Sequence, residues 1–421
     1  MRELLRVENL KIYAGTRPIT SIDFFSVREG EVVLVTGSSG SGKTSMLRCI
    51  AGLNNIFGLE FTGSITLNTD SRGLAYIPQE PWFGLVTPYP FIEIRCFGSD
   101  GDFHRYLELF NVGHVLESNS VDLSAGEIQR ILLIEALLSG SKLVLMDEIT
   151  AYLDEASRKQ IVETIEKVRN ESRVSFIVVD HDVTLWKKSV DKVLYIDPKN
   201  GSRLYNDIED LPIIYKIRSL YEEAEMIAKD IRRSSSEGET LIKVDGVWFR
   251  YPDSTRYVVR GLSIDVDRGD LVVIQGPSGS GKSTFLKLLA GMHRPSKGKI
   301  SRRYRDAQYV PENPLLYLSE PTPNDELKGD IEFAKEVALL DVLETPITRL
   351  SSGERRRLAL ASAMLRGADV IFIDEPSVGL DVENLVRLLR VVAKAVNRGV
   401  SIVMATHSRF LSLAAKHLIK F

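Results

Sequence analysis

Two short glycine-rich segments carry the clearest chemistry in this sequence. One runs from Gly37 to Thr44 (GSSGSGKT), and the other runs from Gly276 to Ser283 (GPSGSGKS). In this GxxxxGK[ST] pattern, glycines let successive backbone N–H groups converge on an anion, and the helix that follows adds positive potential. Lys43 and Lys282 would reach the β- and γ-phosphates of a nucleoside triphosphate. The sequence therefore predicts two phosphate sites.

The residues of both loops, with the residue after each, are our candidates for binding ATP. The hydroxyl groups of Thr44 and Ser283 would also hold Mg²⁺. A purely structural glycine turn is the alternative, but each loop follows an apolar strand and opens a helix. The candidates are Gly37, Ser38, Ser39, Gly40, Ser41, Gly42, Lys43, Thr44 and Ser45, and Gly276, Pro277, Ser278, Gly279, Ser280, Gly281, Lys282, Ser283 and Thr284.

Paired carboxylates end two later apolar strands, as Asp147-Glu148 and Asp374-Glu375. At the carboxyl edge of a parallel sheet, such side chains face the phosphate crevice. The aspartates would coordinate Mg²⁺, and the glutamates would act as general bases that polarise the water attacking the γ-phosphorus. The alternative is that they are solvated carboxylates that cap a helix.

Two histidines, His181 and His407, each follow a further strand at matching distances from the carboxylates. A histidine at this place can hydrogen-bond the γ-phosphate and hold the water and the glutamate in line. A lone histidine is more often structural. The recurrence of this pair favours a catalytic role for both, alongside Glu148 and Glu375.

The elements that must position these residues alternate between strand and helix. Apolar, Val- and Ile-rich runs precede both loops, and apolar-periodic segments follow them, as in buried parallel strands joined by helices. This pattern predicts two α/β nucleotide-binding units. The expected strands are 31–36, 142–146, 175–179, 270–275, 370–373 and 401–405, and the expected helices after the loops are 45–52 and 284–291.

The chain is a tandem duplication. LSAGE at 123–127 recurs as LSSGE at 350–354, and LVLMDE at 143–148 recurs as VIFIDE at 370–375. Recurrence of ordered motifs at a fixed offset identifies a repeat. We expect two domains, residues 1–205 and 238–421.

A linker of residues 206–237 joins the two copies. Its apolar residues from Ile213 to Ile231 recur every three or four positions, which predicts one amphipathic helix. The helix is expected to pack on its own domain, with docking on a partner as the alternative. The SSSEG segment at 234–238 would form a flexible hinge.

Composition excludes several protein classes. The 421 residues are 44% hydrophobic and carry a net charge of -3, which excludes a disordered chain and a polybasic nucleic-acid binder. Two cysteines exclude a disulfide framework or a four-cysteine zinc site. No apolar run approaches the ~20 residues of a membrane span, and no secretion signal is visible, so a cytoplasmic location is expected.

Further motifs accompany the two loops, namely Gln79, LSAGE, LVLMDE, Asp154, His181 and their counterparts in the other copy. With these motifs, the sequence resembles the ATP-binding-cassette (ABC) ATPases. The resemblance implies a RecA-like α/β core, a small antiparallel β part and a helical subdomain in each copy. It also implies that the copies pair head to tail within the chain around two ATP molecules. The resemblance further implies that nucleotide is contacted by Ser124, Gly126, Ser351, Gly353, Gln79 and its counterpart Glu312, and the aromatic rings Tyr13 and Tyr251. It implies that the metal ion is held by Thr44, Gln79, Asp147, Ser283 and Asp374.

The second copy departs from the family pattern at Glu312, where the family has glutamine. A carboxylate near the triphosphate and Mg²⁺ should repel the former or compete for the latter. We therefore expect a slower or differently regulated second site. Ile149 replaces the usual proline after Glu148, which we interpret as neutral.

Among fused cassettes, the sequence is most similar to the ATPase subunit of energy-coupling-factor (ECF) importers of vitamins and transition metals. The segments 79–98, ending in Phe97-Gly98, and 312–327 carry this likeness. It implies membrane partners in trans, a scaffold and a substrate-binding protein, and a peripheral place on the inner face of the membrane. Arginines of the scaffold could pair with acidic groups of these segments, namely Glu80, Glu93, Glu320, Asp325 and Glu326. The alternative function is a soluble ATPase that remodels ribosomes or nucleic acid, although no specific nucleic acid is expected.

Overall fold

The computed structural model comprises two compact units, Met1–Lys216 and Ile217–Phe421. The structure describes residues 2–38, 40–69, 73–97, 100–120, 123–151, 153, 155–197, 201–234, 238–252, 254–277, 279–378 and 380–421. Four residues singled out above, Ser39, Gly98, Asp154 and Ser278, lie outside the described residues, as do residues 235–237 of the expected hinge.

A small antiparallel sheet opens the first unit. It has the strand order β2-β1-β4, and β1 pairs with both neighbours in antiparallel register. Alternating burial along β1 shows that one face of this sheet is packed and the other faces solvent. The strands are β1 (Glu3–Ala14), β2 (Arg17–Arg28) and β4 (Leu59–Leu67).

The main sheet of the first unit has the order β5-β6-β7-β3-β8-β9. All pairs are parallel except β8 with β9. The carboxyl ends of β3, β7 and β6 are therefore neighbours at one edge. The strands are β3 (Val32–Gly37), β5 (Leu74–Ile77), β6 (Leu143–Asp147), β7 (Ser175–Val179), β8 (Lys192–Asp197) and β9 (Gly201–Tyr205).

Helix α1 and the antiparallel sheet cover one face of this main sheet. A single cluster of buried apolar residues joins the two sheets and α1, including Val7, Phe25, Val35 and Leu47. Further helices in the segment 90–138 form the helical part. The helices of the first unit are α1 (Lys43–Ile50), α2 (Pro90–Arg95), α3 (Asp100–Phe110), α4 (Ala125–Leu138) and α5 (Glu155–Ser172).

The second unit repeats this architecture. A three-stranded antiparallel sheet has the order β11-β10-β13, and a five-stranded parallel sheet has the order β14-β15-β16-β12-β17. The strands are β10 (Thr240–Phe249), β11 (Val259–Asp267), β12 (Leu271–Gln275), β13 (Lys297–Arg302), β14 (Ala307–Val310), β15 (Val370–Asp374), β16 (Ser401–Thr406) and β17 (His417–Lys420).

Two apolar clusters sandwich the parallel sheet of the second unit. One packs α7 and the antiparallel sheet against one face, and the other packs α10 and α11 against the opposite face. The helices are α7 (Lys282–Leu289), α8 (Pro323–Glu326), α9 (Ile331–Glu336), α10 (Ser352–Leu365), α11 (Val382–Asn397) and α12 (Arg409–Ser412).

The connector forms helix α6 (Ile213–Ser234), in the segment whose apolar spacing predicts it. Its residues Ala224, Ala228 and Ile231 belong to the apolar cluster of the second unit, and Tyr221 packs edge-on against Phe410. The helix thus packs on the second unit along most of its length, with its apolar side chains buried in that cluster.

The predicted α/β class with two tandem nucleotide-binding folds is confirmed. The strands preceding both loops and the helices following them lie within two residues of the expected bounds, since continuous apolar runs bounded by glycine are easy to delimit. Within the described part of the chain, the structure contains no helix that is both long and apolar enough to cross a bilayer.

Candidate functional site

The loop between β3 and α1 forms a compact anion cradle. Lys43 is buried, and its Nζ donates to the carbonyl oxygens of Gly37 at 3.0 Å and Ser38 at 2.9 Å. Gly42 precedes α1 with a left-handed φ of 92°. The buried Oγ of Ser41 has no hydrogen-bond partner among the described residues. An orphaned hydroxyl and an ammonium group at a helix N-terminus fit a bound triphosphate.

The second loop has the same form. Nζ of the buried Lys282 donates to the carbonyl oxygen of Pro277 at 2.8 Å and lies 3.2 Å from Oε1 of Glu375. Gly281, with a φ of 104°, precedes α7. The lysine therefore already bridges the loop and the carboxylate pair of its own unit.

Each loop hydroxyl meets the strand-end aspartate of its unit. Thr44 Oγ1 donates to Asp147 Oδ1 at 3.0 Å, and Ser283 Oγ donates to Asp374 Oδ1 at 2.7 Å. A hydroxyl and a carboxylate side by side are the oxygen ligands that Mg²⁺ prefers, so the residues present fit this ion. Burial, followed by the charge of Glu148, raises the pKa of Asp147 to about 6.

A tyrosine holds the second oxygen of each aspartate. Tyr76 donates to Asp147 Oδ2 at 3.1 Å, and Tyr309 donates to Asp374 Oδ2 at 2.9 Å. Burial, with the charge of the aspartate, raises the pKa of both phenols, so they remain donors. Neither tyrosine is among the site residues predicted from the sequence. Their signal was the recurrence of tyrosine three residues before Gln79 and Glu312.

Glu148 lies between a glutamine and a histidine. Gln79 Nε2 donates to Glu148 Oε2 at 2.8 Å, and His181 Nε2 lies 2.8 Å from Oε1. The glutamate has a left-handed φ of 48°, and its N–H donates to the carbonyl oxygen of Val179 on the neighbouring strand. This strained backbone aims the carboxylate out of the sheet edge, as a general base requires.

Glu375 has a different set of partners. Its φ is 42°, His407 Nδ1 lies 3.0 Å from Oε2, and Lys282 approaches the other oxygen. Burial opposes ionisation, but the hydrogen bond from His407 and the charges of His407 and Lys282 lower the pKa of Glu375. The carboxylate is thus stabilised in the ionised form that can accept a proton.

The signature segments begin the helices α4 and α10. Ser124 caps α4 in a reciprocal box with Glu127, and Ser351 caps α10 in the same way with Glu354. A Cβ at Gly126 would meet Cδ2 of Leu153 at 2.6 Å, so this leucine side chain would have to shift to admit one. These hydrogen bonds keep each helix N-terminus fixed and ready to bind an anion.

The two predicted base-stacking rings differ. Tyr251 packs edge-on against Phe249 and His293, and its hydroxyl lies 3.0 Å from Thr284 Oγ1 beside the loop. Tyr13 lies near the end of β1, opposite Pro18 and Glu60 in the sheet register. Only the ring of Tyr251 is thus placed against its phosphate loop by a described contact.

One expectation about the acidic side chains is wrong. Glu93 and Glu326 are buried, and each accepts hydrogen bonds from the backbone of its own unit, Glu93 from Val86 and Thr87 and Glu326 from Ser319 and Glu320. They hold the loop that follows Gln79 or Glu312, so their carboxylates are not available for ion pairs with a partner protein. Three acidic groups of that set remain exposed: Glu80, Glu320 and Asp325.

Comparison with known proteins identifies a family match over both halves. The ABC transporter family matches residues 22–151 and 259–378. A candidate ABC transporter ATP-binding protein of Methanosarcina mazei is 25% identical, with 96% of this chain and 90% of that protein covered. A candidate HMP/thiamine import ATP-binding protein of Bacillus subtilis, YkoD, is 24% identical, with 96% and 87% covered.

Solved structures share the fold along nearly the whole chain. The RNase-L inhibitor superposes with a TM-score of 0.72 and 22% identity, covering 98% of this chain and 88% of that one. A model of ribosome-bound archaeal Pelota and ABCE1 contains a chain with a TM-score of 0.74 and 22% identity, covering 98% and 76%. These likenesses concern the fold.

Proposed function

This chain belongs to the ABC transporter family as a tandem ATPase, and from that premise we propose that it is the energy subunit of a membrane importer. The membrane-embedded subunits would be separate chains, a scaffold and a substrate-binding protein. The chain would lie on the inner face of the membrane and would convert ATP binding and hydrolysis into movement of those partners.

ATP hydrolysis would proceed by in-line attack of water on the γ-phosphorus. In the first unit, Lys43 and the loop amides bind the triphosphate, and Glu148 accepts the proton of the attacking water while Gln79 and His181 orient its carboxylate. Mg²⁺ would neutralise phosphate charge, with Thr44, Asp147 and Gln79 as its residues in the first unit and Ser283 and Asp374 in the second.

The second unit would use Glu375 as its base, with His407 and Lys282 as the groups that hold the carboxylate. From the family resemblance, we also assign the Ser124 and Ser351 helix N-termini to the γ-phosphate of the nucleotide bound by the opposite copy. Ser351→Ala is then expected to slow hydrolysis by the first copy. That rate is measured as phosphate release with the second copy silenced by Lys282→Ala.

The observation that carries the importer role is a run of exposed apolar side chains directly after Gln79. The group consists of Trp82, Val86, Tyr89, Phe91, Ile92 and Phe97, with Val86 89% exposed. Such a patch costs solubility in a free protein and marks a surface that a partner covers. Charged groups flank it, including the exposed Glu80.

We place the chain with the ECF type of importer. The likeness of segments 79–98 and 312–327 supports this type, and so does the relative YkoD, whose description is HMP/thiamine import. The substrate class is then a vitamin or a transition metal.

Affinity capture of the tagged full chain from detergent-solubilised host membranes and from cytosol tests the role. Recovery of a polytopic scaffold with a small substrate-binding membrane protein is expected. Val86→Ser/Ile92→Ser/Phe97→Ser should lose these partners and keep ATPase activity. Ile56→Ser, an equally apolar change at a side chain that is 76% exposed elsewhere, should retain them. Recovery of ribosomal proteins or nucleic acid alone would overturn the importer role in favour of a remodelling ATPase.

A further inference from the structure

The two glutamates proposed as bases share an unusual backbone conformation. Glu148 and Glu375 have left-handed φ angles of 48° and 42°. The N–H of each donates to a carbonyl oxygen of the neighbouring strand, to Val179 at 3.0 Å in the first unit and to Ala405 at 2.8 Å in the second. A residue other than glycine keeps such a conformation only where its surroundings fix it. The partner of each glutamate carbonyl group therefore matters as well.

In the first unit, the turn after Glu148 holds its carbonyl group. The N–H of Ala151 donates to this oxygen at 3.0 Å. Gln129 of α4 is completely buried, and neither its Nε2 nor its Oε1 has a hydrogen-bond partner in the part of the chain that the structure describes. The backbone of the first base is thus held by its own turn and not by the amide of Gln129.

In the second unit, an arginine takes over this task. The corresponding turn bond, from the N–H of Val378 to the carbonyl oxygen of Glu375, is longer at 3.5 Å, and Nη1 of Arg356 donates to the same oxygen at 2.8 Å. Arg356 is the counterpart of Gln129, since each stands five residues after the signature serine. Because Arg356 is 8% exposed, this charge-assisted hydrogen bond lies away from water, where it is stronger.

We infer that Arg356 is a positioning residue for Glu375. It holds the carbonyl group while Ala405 holds the N–H, so the two peptide groups that flank the Cα are both fixed. The direction in which the carboxylate leaves the sheet edge is then fixed too, before His407 and Lys282 meet its oxygens. Since Arg356 lies on α10, the base of the second unit depends on the position of that helix, whereas the base of the first unit depends on its own turn.

The inference rests on the proposed catalytic role of Glu375 and not on the importer role, so its test uses the purified full chain. Glu148→Gln removes the base of the first unit and keeps its phosphate loop, so that phosphate release reports the second unit. In this background, kcat is measured by steady-state phosphate release and the dissociation constant of MgATP by calorimetry.

Arg356→Gln gives the second unit the amide that the first unit has. We expect kcat to fall about tenfold, because a charge-assisted hydrogen bond to the backbone of the base is lost, while the dissociation constant of MgATP stays within about twofold. Arg356→Lys keeps a cation that can donate to the same oxygen, and it should retain at least about a third of kcat.

Gln129→Leu is the matched control at the equivalent position of the first unit. It removes a buried amide that has no hydrogen-bond partner among the residues described, at similar volume. Phosphate release by the first unit, measured in the Glu375→Gln background, should therefore stay within about twofold of its parent.

Three results would overturn the inference: kcat within twofold of the parent in Arg356→Gln, no recovery in Arg356→Lys, or an equal fall in Gln129→Leu. A loss of MgATP affinity as large as the loss of kcat in Arg356→Gln would also overturn it, since the arginine would then hold the fold of the unit and not its base. No phosphate release by the Glu148→Gln parent would overturn the assignment of Glu375 as a base, and the inference with it.

Discussion

Gln79 donates a hydrogen bond from Nε2 to Oε2 of Glu148 at 2.8 Å, and the amide thereby fixes one oxygen of the proposed catalytic base. The other oxygen lies against His181. The carboxylate, which follows β6, is thus oriented by two side chains that follow the strands on either side, β5 and β7.

Gln79→Leu removes this donor at nearly constant volume. We expect phosphate release by the first site to fall about tenfold, since a hydrogen bond to a charged group contributes roughly 1.5–3 kcal/mol. Affinity for ATP in EDTA should stay within about twofold. Gln160→Leu, on the exposed face of α5, is the matched control, and an equal loss in both variants would contradict an orienting role.

His181→Ala tests the second partner of Glu148. Phosphate release by the first site, measured with Lys282→Ala in the chain, should fall about 100-fold, because the group that holds the proposed base is lost. His407→Ala should act equally on the second site in the Lys43→Ala background. His104→Ala, an exposed histidine of α3, should have no effect. Unchanged turnover in both catalytic variants would refute the assignment.

Glu135 is predicted to make stability depend on pH. This carboxyl group is buried in α4, and burial followed by the charge of Glu93 raises its pKa to about 8. The unfolded chain ionises near 4.5, so stability is fully present below that pH, falls by about 1.4 kcal/mol per pH unit as pH rises, and levels off above about 8.

The second unit has a serine in place of this buried carboxyl group. Ser362 stands at the place of Glu135 in the repeat, and it donates to Glu326 at 2.6 Å while Arg366 approaches the same oxygen. Burial opposes ionisation there, but these partners and the backbone donors of its loop lower the pKa of Glu326. In the first unit the buried Glu93 thus faces a second acid, Glu135, whereas in the second unit Glu326 faces a hydrogen-bond donor, Ser362.

Glu135→Gln should therefore raise the unfolding midpoint of the first unit at pH 8.5 and change it little at pH 5. Thermal unfolding at these two values, followed by calorimetry, measures the difference. Glu163→Gln, an exposed carboxylate of α5, is the control and should shift neither midpoint. A gain of equal size at both pH values would show that the carboxyl group is not protonated in the folded state.

Gly37→Ala should destroy the first phosphate cradle. A Cβ at this position would lie 2.2 Å from the carbonyl oxygen of Ile196, and the residue has a φ of 151°. Because backbone cannot move aside as a side chain can, β3 and the loop must shift, and ATP affinity should fall more than about tenfold. Gly30→Ala, with a φ of 77° and open space, should cost only about 1 kcal/mol of stability and leave ATP affinity unchanged.

The sequence alone determined the tandem repeat, the two phosphate loops and the strand-end carboxylates. These features are local: a glycine loop needs particular backbone angles, and a buried parallel strand needs an unbroken apolar run, so both leave a readable pattern in adjacent residues. The bounds of β7, Ser175–Val179, follow from such a run.

Only the tertiary structure decided which polar groups share a partner. Tyr76 reaches Asp147, Arg356 reaches the carbonyl group of Glu375, and the buried Glu135 feels the charge of Glu93. These residues come from different elements, and no spacing rule links them along the chain. Their effects arise from burial and from short distances between charges, which exist only once the strands and helices have packed.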